Sequence, residues 1–69
     1  MGAHMGTVES FDAGVGLGEV RGPDGTLYPF HCTEITDGSR QIDPATAVEF
    51  TLAPGHRGRW EARAVRPLR

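Results

Sequence analysis

Lysine is absent from the 69 residues, so all seven fixed side-chain cations are arginines, the type suited to bidentate phosphate contacts and to stacking. A single cysteine, Cys32, excludes an intrachain disulfide and fits a reducing, cytoplasmic setting. A small apolar packing role or a strand-end position accounts for that thiol. No apolar run approaches the roughly 20 residues needed to cross a bilayer, and there is no basic-then-apolar secretory leader. Together these absences read as a soluble cytoplasmic protein. His31, Cys32 and His56 form no Cys-x-x-Cys or His-x-x-x-His pair, so no metal site is expected. No nucleophile, base and orienting acid can be placed together, and no cofactor motif occurs, so neither an enzyme nor a cofactor is expected.

The length supports one small domain. Met1 to His4, ahead of a second methionine at Met5, resemble a vector remnant, which leaves residues 5–69 as the domain. A chain of this size buries only about 60% of its unfolded surface, so stability is marginal, of the order of 3–10 kcal/mol. The net charge of −2 hides an asymmetry. Between Met5 and Pro54 two arginines face eight acids, a balance of −6, whereas Gly55 to Arg69 holds five arginines and one acid, a balance of +4. The basic end either pairs with acidic neighbouring strands or contacts phosphates.

Short β-compatible runs alternate with turn clusters, and no stretch of a dozen residues keeps a 3.6-residue apolar period. The pattern predicts strands near Gly6–Phe11, Gly16–Arg21, Thr26–His31, Ala47–Ala53 and Arg59–Arg66. Gly22-Pro23-Asp24-Gly25 and Pro54-Gly55-His56-Arg57-Gly58 supply tight turns. Cys32 to Thr46 is the one long loop, too polar for a core strand. Val48, Phe50 and Leu52 alternate with polar neighbours, as do Tyr28 and Phe30 with Pro29 and His31. In the last run Trp60, Ala62 and Ala64 share one face and Val65 falls on the other, which a bulge near Arg63 would reconcile. Five short strands with one long connection predict an all-β, closed or nearly closed five-stranded barrel.

Gly14-Val15-Gly16-Leu17-Gly18-Glu19-Val20 raises the question of a phosphate cradle. Such a cradle must open a helix, and Gly22-Pro23 ends any helix within a turn. As a strand, the run places Leu17 and Glu19 on one face with glycines opposite, a sign of a bend or a close backbone approach.

These residues resemble the cold-shock domain family, whose pattern runs Gly-x-Val-Lys-Trp-Phe-Asn, Lys-Gly-Phe-Gly-Phe-Ile, Asp-Gly, then Val-Phe-Val-His-Phe with an Ile three residues on. The chain has Gly6-Thr7-Val8-Glu9-Ser10-Phe11-Asp12, Val15-Gly16-Leu17-Gly18-Glu19-Val20, Asp24-Gly25, Tyr28-Pro29-Phe30-His31-Cys32 and Ile35 at matching spacing. Val48-Glu49-Phe50 and Gly55 to Pro67 are similar to the family's later strands, with one extra residue. The resemblance implies a five-stranded oligonucleotide-binding (OB-fold) barrel that binds single-stranded RNA or DNA by stacking bases on aromatics of strands two and three. Those aromatics are replaced: Ser10 stands for the Trp, Leu17 and Glu19 for two Phe, Pro29 and Cys32 for two more, and Val15 for the leading Lys.

Phe11 and His31 keep the platform's character, and Leu17 occupies a stacking position. Three lost platforms at about 1–3 kcal/mol each predict weak, salt-dependent binding by the family's usual mode. Arg57, Arg59, Trp60 and Arg63, with His56, bring an indole and several cations to the last hairpin, a second candidate contact for a single strand. The other reading of that hairpin has Trp60 covering a barrel end and the arginines solvated. Two functions follow. One is a monomeric, weak single-stranded nucleic-acid binder of the RNA-chaperone kind; the other is a protein-interaction module that has kept the barrel and uses Leu17, Pro29 and Cys32 beside Glu9 and Glu19.

Overall fold

The computed structural model describes residues 3–68, apart from the side chain of His56. Five strands follow one another: β1 (His4–Asp12), β2 (Leu17–Arg21), β3 (Leu27–His31), β4 (Ala47–Pro54) and β5 (Trp60–Pro67). Single 3-10 turns occur at Cys32–Glu34 and His56–Gly58. All ladders are antiparallel, in the order β3-β2-β1-β4-β5. The all-β expectation and the strand positions hold. β1 starts earlier than expected: His4 pairs with Phe50 and its ring stacks on the Phe50 ring at 5.7 Å.

The sheet is not closed into a barrel by its ladders, which corrects that part of the expectation. β3 and β5 remain its two edges. They lie against one another, yet among the described residues the backbone link at this seam is made beyond β3, by a parallel bridge between Ile35 and Val65 and by the Thr36 N–H donating to the Val65 carbonyl at 2.9 Å. Pro29 supplies a physical reason. A proline is tolerated within a strand where its missing N–H faces the free edge, and that is the edge a β3–β5 ladder would use.

Nine apolar residues form the core: Val8, Val20, Phe30, Ile35, Ile42, Val48, Phe50, Ala62 and Val65, with Phe11, Tyr28, Cys32 and Leu52 packed against them. Two bulges aim these side chains. On β1 the register slips between Val8 and Ser10, so Glu9 is the extra residue and the strand bends where it passes from β4 to β2. On β5 two residues, Ala64 and Val65, lie opposite Phe50 alone. Ala64 takes the strained left-handed conformation at φ 50°, and its N–H donates to Glu34 Oε1 at 3.0 Å. This is the bulge expected near Arg63, and it brings both Ala62 and Val65 inward.

The glycine run divides between a turn and a strand. Asp12 closes the turn: its Oδ1 accepts the N–H groups of Gly14 (3.0 Å) and Val15 (3.3 Å), and its carbonyl accepts that of Gly16 (2.7 Å). β2 follows, where a phosphate cradle would need a helix. Gly18 lies between Phe11 on β1 and Phe30 on β3, and those rings stack at 5.9 Å with 15° between planes. A Cβ on Gly18 would stand 2.7 Å from both Phe30 Cζ and the Ser10 carbonyl oxygen. Only a residue without one lets the ring lie on the strand.

The Gly22–Gly25 turn is closed by the Gly22 N–H donating to the Thr26 carbonyl (2.8 Å) and the Thr26 N–H donating to Asp24 Oδ1 (2.9 Å). The latter bond holds the Asp24 carboxyl below its ordinary pKa.

Gly18→Ala is expected to cost about 1–3 kcal/mol, the usual penalty for overpacking. Gly14→Ala, whose Cβ would meet only Asp12 Oδ1 at an ordinary 3.4 Å, is expected to stay within about 0.5 kcal/mol. Urea unfolding of the two variants checks the contrast.

Candidate nucleic-acid interface

Strand alternation turns the ladders into two faces. One face carries the rows Val8–Val20–Tyr28 and Phe11–Gly18–Phe30 and points into the core; the other carries Ser10–Glu19–Pro29 and Asp12–Leu17–His31. The outward rows therefore present the positions where the resemblance implies stacking aromatics. What stands there is Ser10, Leu17, Glu19, Pro29 and His31. Leu17 is 44% exposed, and Val15, in the turn before it, is 65% exposed.

The structure brings some of the expected site residues together and separates others. Leu17 and His31 are ladder partners on the outward face. Phe11 sits one row away on the inward side, half-buried against Phe30. Cys32 leaves the strand and enters a 3-10 turn, where it packs against the core. Its N–H donates to the Gly16 carbonyl at 2.8 Å. The thiol thus has the apolar packing role read from the sequence, and it is not part of the outward face.

Arg63 reaches the same region from β5. A groove beside the outward face is lined by His31, Thr33, Glu34, Glu61 and Arg63, with Arg63 Nη2 paired to Glu61 Oε1 at 3.2 Å. Glu61 also borders a smaller hollow with Leu17, Pro29, Phe30 and His31. Spacing along the chain gives no hint of Glu61 here, because it arrives only through the approach of β5 to β3. Glu34 was missed for a similar reason: its carboxylate is committed to the backbone of the β5 bulge.

The hairpin between β4 and β5 is a separate feature. Arg57, at φ 58° in the second 3-10 turn, and Arg59 are exposed, and among the described residues neither makes an ion pair. Trp60 opens β5 opposite Pro54, 55% exposed and outside the core cluster. It does not cap the sheet's end. The side chain of His56, grouped with these residues in the sequence, lies outside the described residues. Pairing of the basic segment with an acidic neighbouring strand is limited, among the described residues, to Arg66 with Glu49 across β4–β5, while Arg63 pairs within β5 with Glu61. On the opposite side of the sheet order, Arg21 pairs with Glu9 at 2.8 Å. These are exposed pairs, worth at most about 1 kcal/mol each.

Trp60 is the single tryptophan, so its exposure is directly testable. Its fluorescence in the folded protein is expected to be quenched by acrylamide almost as efficiently as in the urea-unfolded chain, whereas an indole sealed over the core would be protected several-fold.

No family model and no curated protein sequence matches the chain. Among solved structures it is similar to one titled "drosophila Unr CSD456", with a TM-score of 0.81 and 32% identity. The likeness covers 99% of this chain, which spans 27% of the length of that one. The neighbour is a cold-shock domain structure, and cold-shock domains are a nucleic-acid-binding kind of domain. The strand arrangement, the motif spacing from Gly6 to Ile35 and this neighbour agree: the chain is a cold-shock-domain-like protein.

Proposed function

We propose that the chain is a single-stranded nucleic-acid-binding module of OB-fold type whose contact surface has moved from the outward face of β2 and β3 to the β4–β5 hairpin. The observation that carries this reading is the exposed Trp60 beside Arg57 and Arg59, two guanidiniums without an ion-pair partner among the described residues. An indole supplies a π-face on which any base stacks, and adjacent guanidiniums supply phosphate and cation–π contacts.

Physical chemistry limits how much the outward face of β2 and β3 adds. Leu17 and Pro29 offer no π-face, and Glu19 sets a negative charge where phosphates would pass. Binding is therefore weak and tolerant of sequence, a property suited to a protein that loosens RNA structure without holding one site. His31 is the one ring left on that face.

Titration of Trp60 fluorescence with a short single-stranded oligonucleotide tests the reading. Quenching is expected, with an affinity that falls with salt at a log–log slope near −1.4, given about −0.7 per phosphate neutralised in a single strand and two arginines engaged. Arg59→Ala is expected to flatten that slope. Trp60→Ala, followed by amide NMR, is expected to cost about 1–3 kcal/mol, the loss of one stacked base. Unchanged fluorescence at millimolar oligonucleotide would reject the proposal.

A further inference from the structure

The outward face of β2 and β3 carries a chemistry that the nucleic-acid reading does not use. Leu17, Pro29, Phe30, His31 and Glu61 enclose a hollow of about 190 Å³. An apolar cavity of about 150 Å³ takes one benzene ring, so this hollow has room for one aliphatic or aromatic side chain. Leu17 and Pro29 give it an apolar side, and the adjoining turn exposes Val15 as well.

Around the hollow the charge is mainly negative. Asp12 and Glu19 lie in the ladder rows of Leu17 and Pro29, Glu61 borders the hollow, and Glu34 lines the groove next to it. Among the described residues the guanidinium lining these two hollows is that of Arg63, and it is paired with Glu61. Arg21, further along β2, is held by Glu9. Glu19 makes no ion pair among the described residues. Such a rim repels phosphates and attracts cations, and electrostatic complementarity of this kind selects partners and speeds encounter.

We infer that this face is a docking site for a basic peptide segment of a protein partner, one that places an apolar side chain in the hollow and an arginine or lysine beside it against Glu19. A guanidinium on the peptide matches a carboxylate bidentately, and the apolar anchor supplies the burial that exposed charge pairs alone do not. The inference is independent of the hairpin. It assigns the two faces to partners of opposite charge.

The test is an amide NMR titration of the whole chain with the blocked tripeptide Arg-Leu-Arg and with its twin Glu-Leu-Glu, each to millimolar concentration. Shifts confined to Leu17, Glu19, His31 and Glu61 are expected with the first peptide and not with the second. Leu17→Ser, an exposed position whose change leaves the core intact, is expected to weaken binding about tenfold, the equivalent of about 1.4 kcal/mol of lost apolar contact. Glu19→Gln is expected to weaken it about two- to threefold, an effect erased by 0.5 M salt. Equal binding of both peptides, shifts located elsewhere, or oligonucleotide shifts on this same face would overturn the inference. Failure of oligonucleotide to bind the hairpin would leave the peptide result standing and would reject only the nucleic-acid proposal.

Discussion

The Phe30 ring lying on the backbone of Gly18 is the contact from which the rest of the molecule follows. It joins β2 and β3 at a fixed register, receives Phe11 from β1 in a stack, and seats the ring in the core at 3% exposure. A fully buried phenylalanine contributes about 1.5–3 kcal/mol. For a domain of this size that is a large share of the whole. Because strand side chains alternate, fixing Phe30 inward fixes Pro29 and His31 outward, and fixing Gly18 inward does the same for Leu17 and Glu19. The core contact thereby decides which residues a ligand can meet.

A cold-shock-like sheet is consequently retained while its outer chemistry is exchanged. The inward positions of β1, β2 and β3 are apolar or glycine; the outward ones are Ser10, Asp12, Leu17, Glu19, Pro29 and His31, of which His31 alone carries a ring that can stack. Substitution on the outward face costs little stability because nothing is packed over it, whereas the inward rows are held by the glycine contact and by two bulges. Charge follows the same division. Acids cluster around β2 and β3, and Arg57 and Arg59, which make no ion pair among the described residues, stand on the β4–β5 hairpin.

Much of this was legible in the sequence, for identifiable reasons. Period-2 alternation in Val48, Phe50 and Leu52, and the turn residues around Asp24 and Gly55, located strands to within a few residues. The mismatch of Ala62 and Val65 along β5 required a bulge, and Ala64 provides one. Other features left no local trace. Ile42 lies in a polar loop and reaches the core only because that loop folds back over it; Glu61 joins the β3 surface only through the meeting of two sheet edges. Phe11 read as a ligand-facing aromatic because the bulge at Glu9, which sets its face, is invisible in a run of residues that could alternate either way. The closed barrel failed at β3, where Pro29 leaves the free edge without a backbone donor. His4, attributed to a vector remnant, pairs with Phe50 because the extended β1 meets β4 there.

The central claim is that nucleic acid meets the hairpin and not the outward face of β2 and β3. An amide NMR map with a short single-stranded pyrimidine oligonucleotide at low salt tests it most directly. Shifts concentrated from Arg57 to Arg63, vanishing as salt is raised, are expected, with Leu17 and Glu19 unmoved. Shifts centred on Leu17, Glu19 and Pro29's neighbours would contradict it, because they would mean that the face without aromatics still holds the bases.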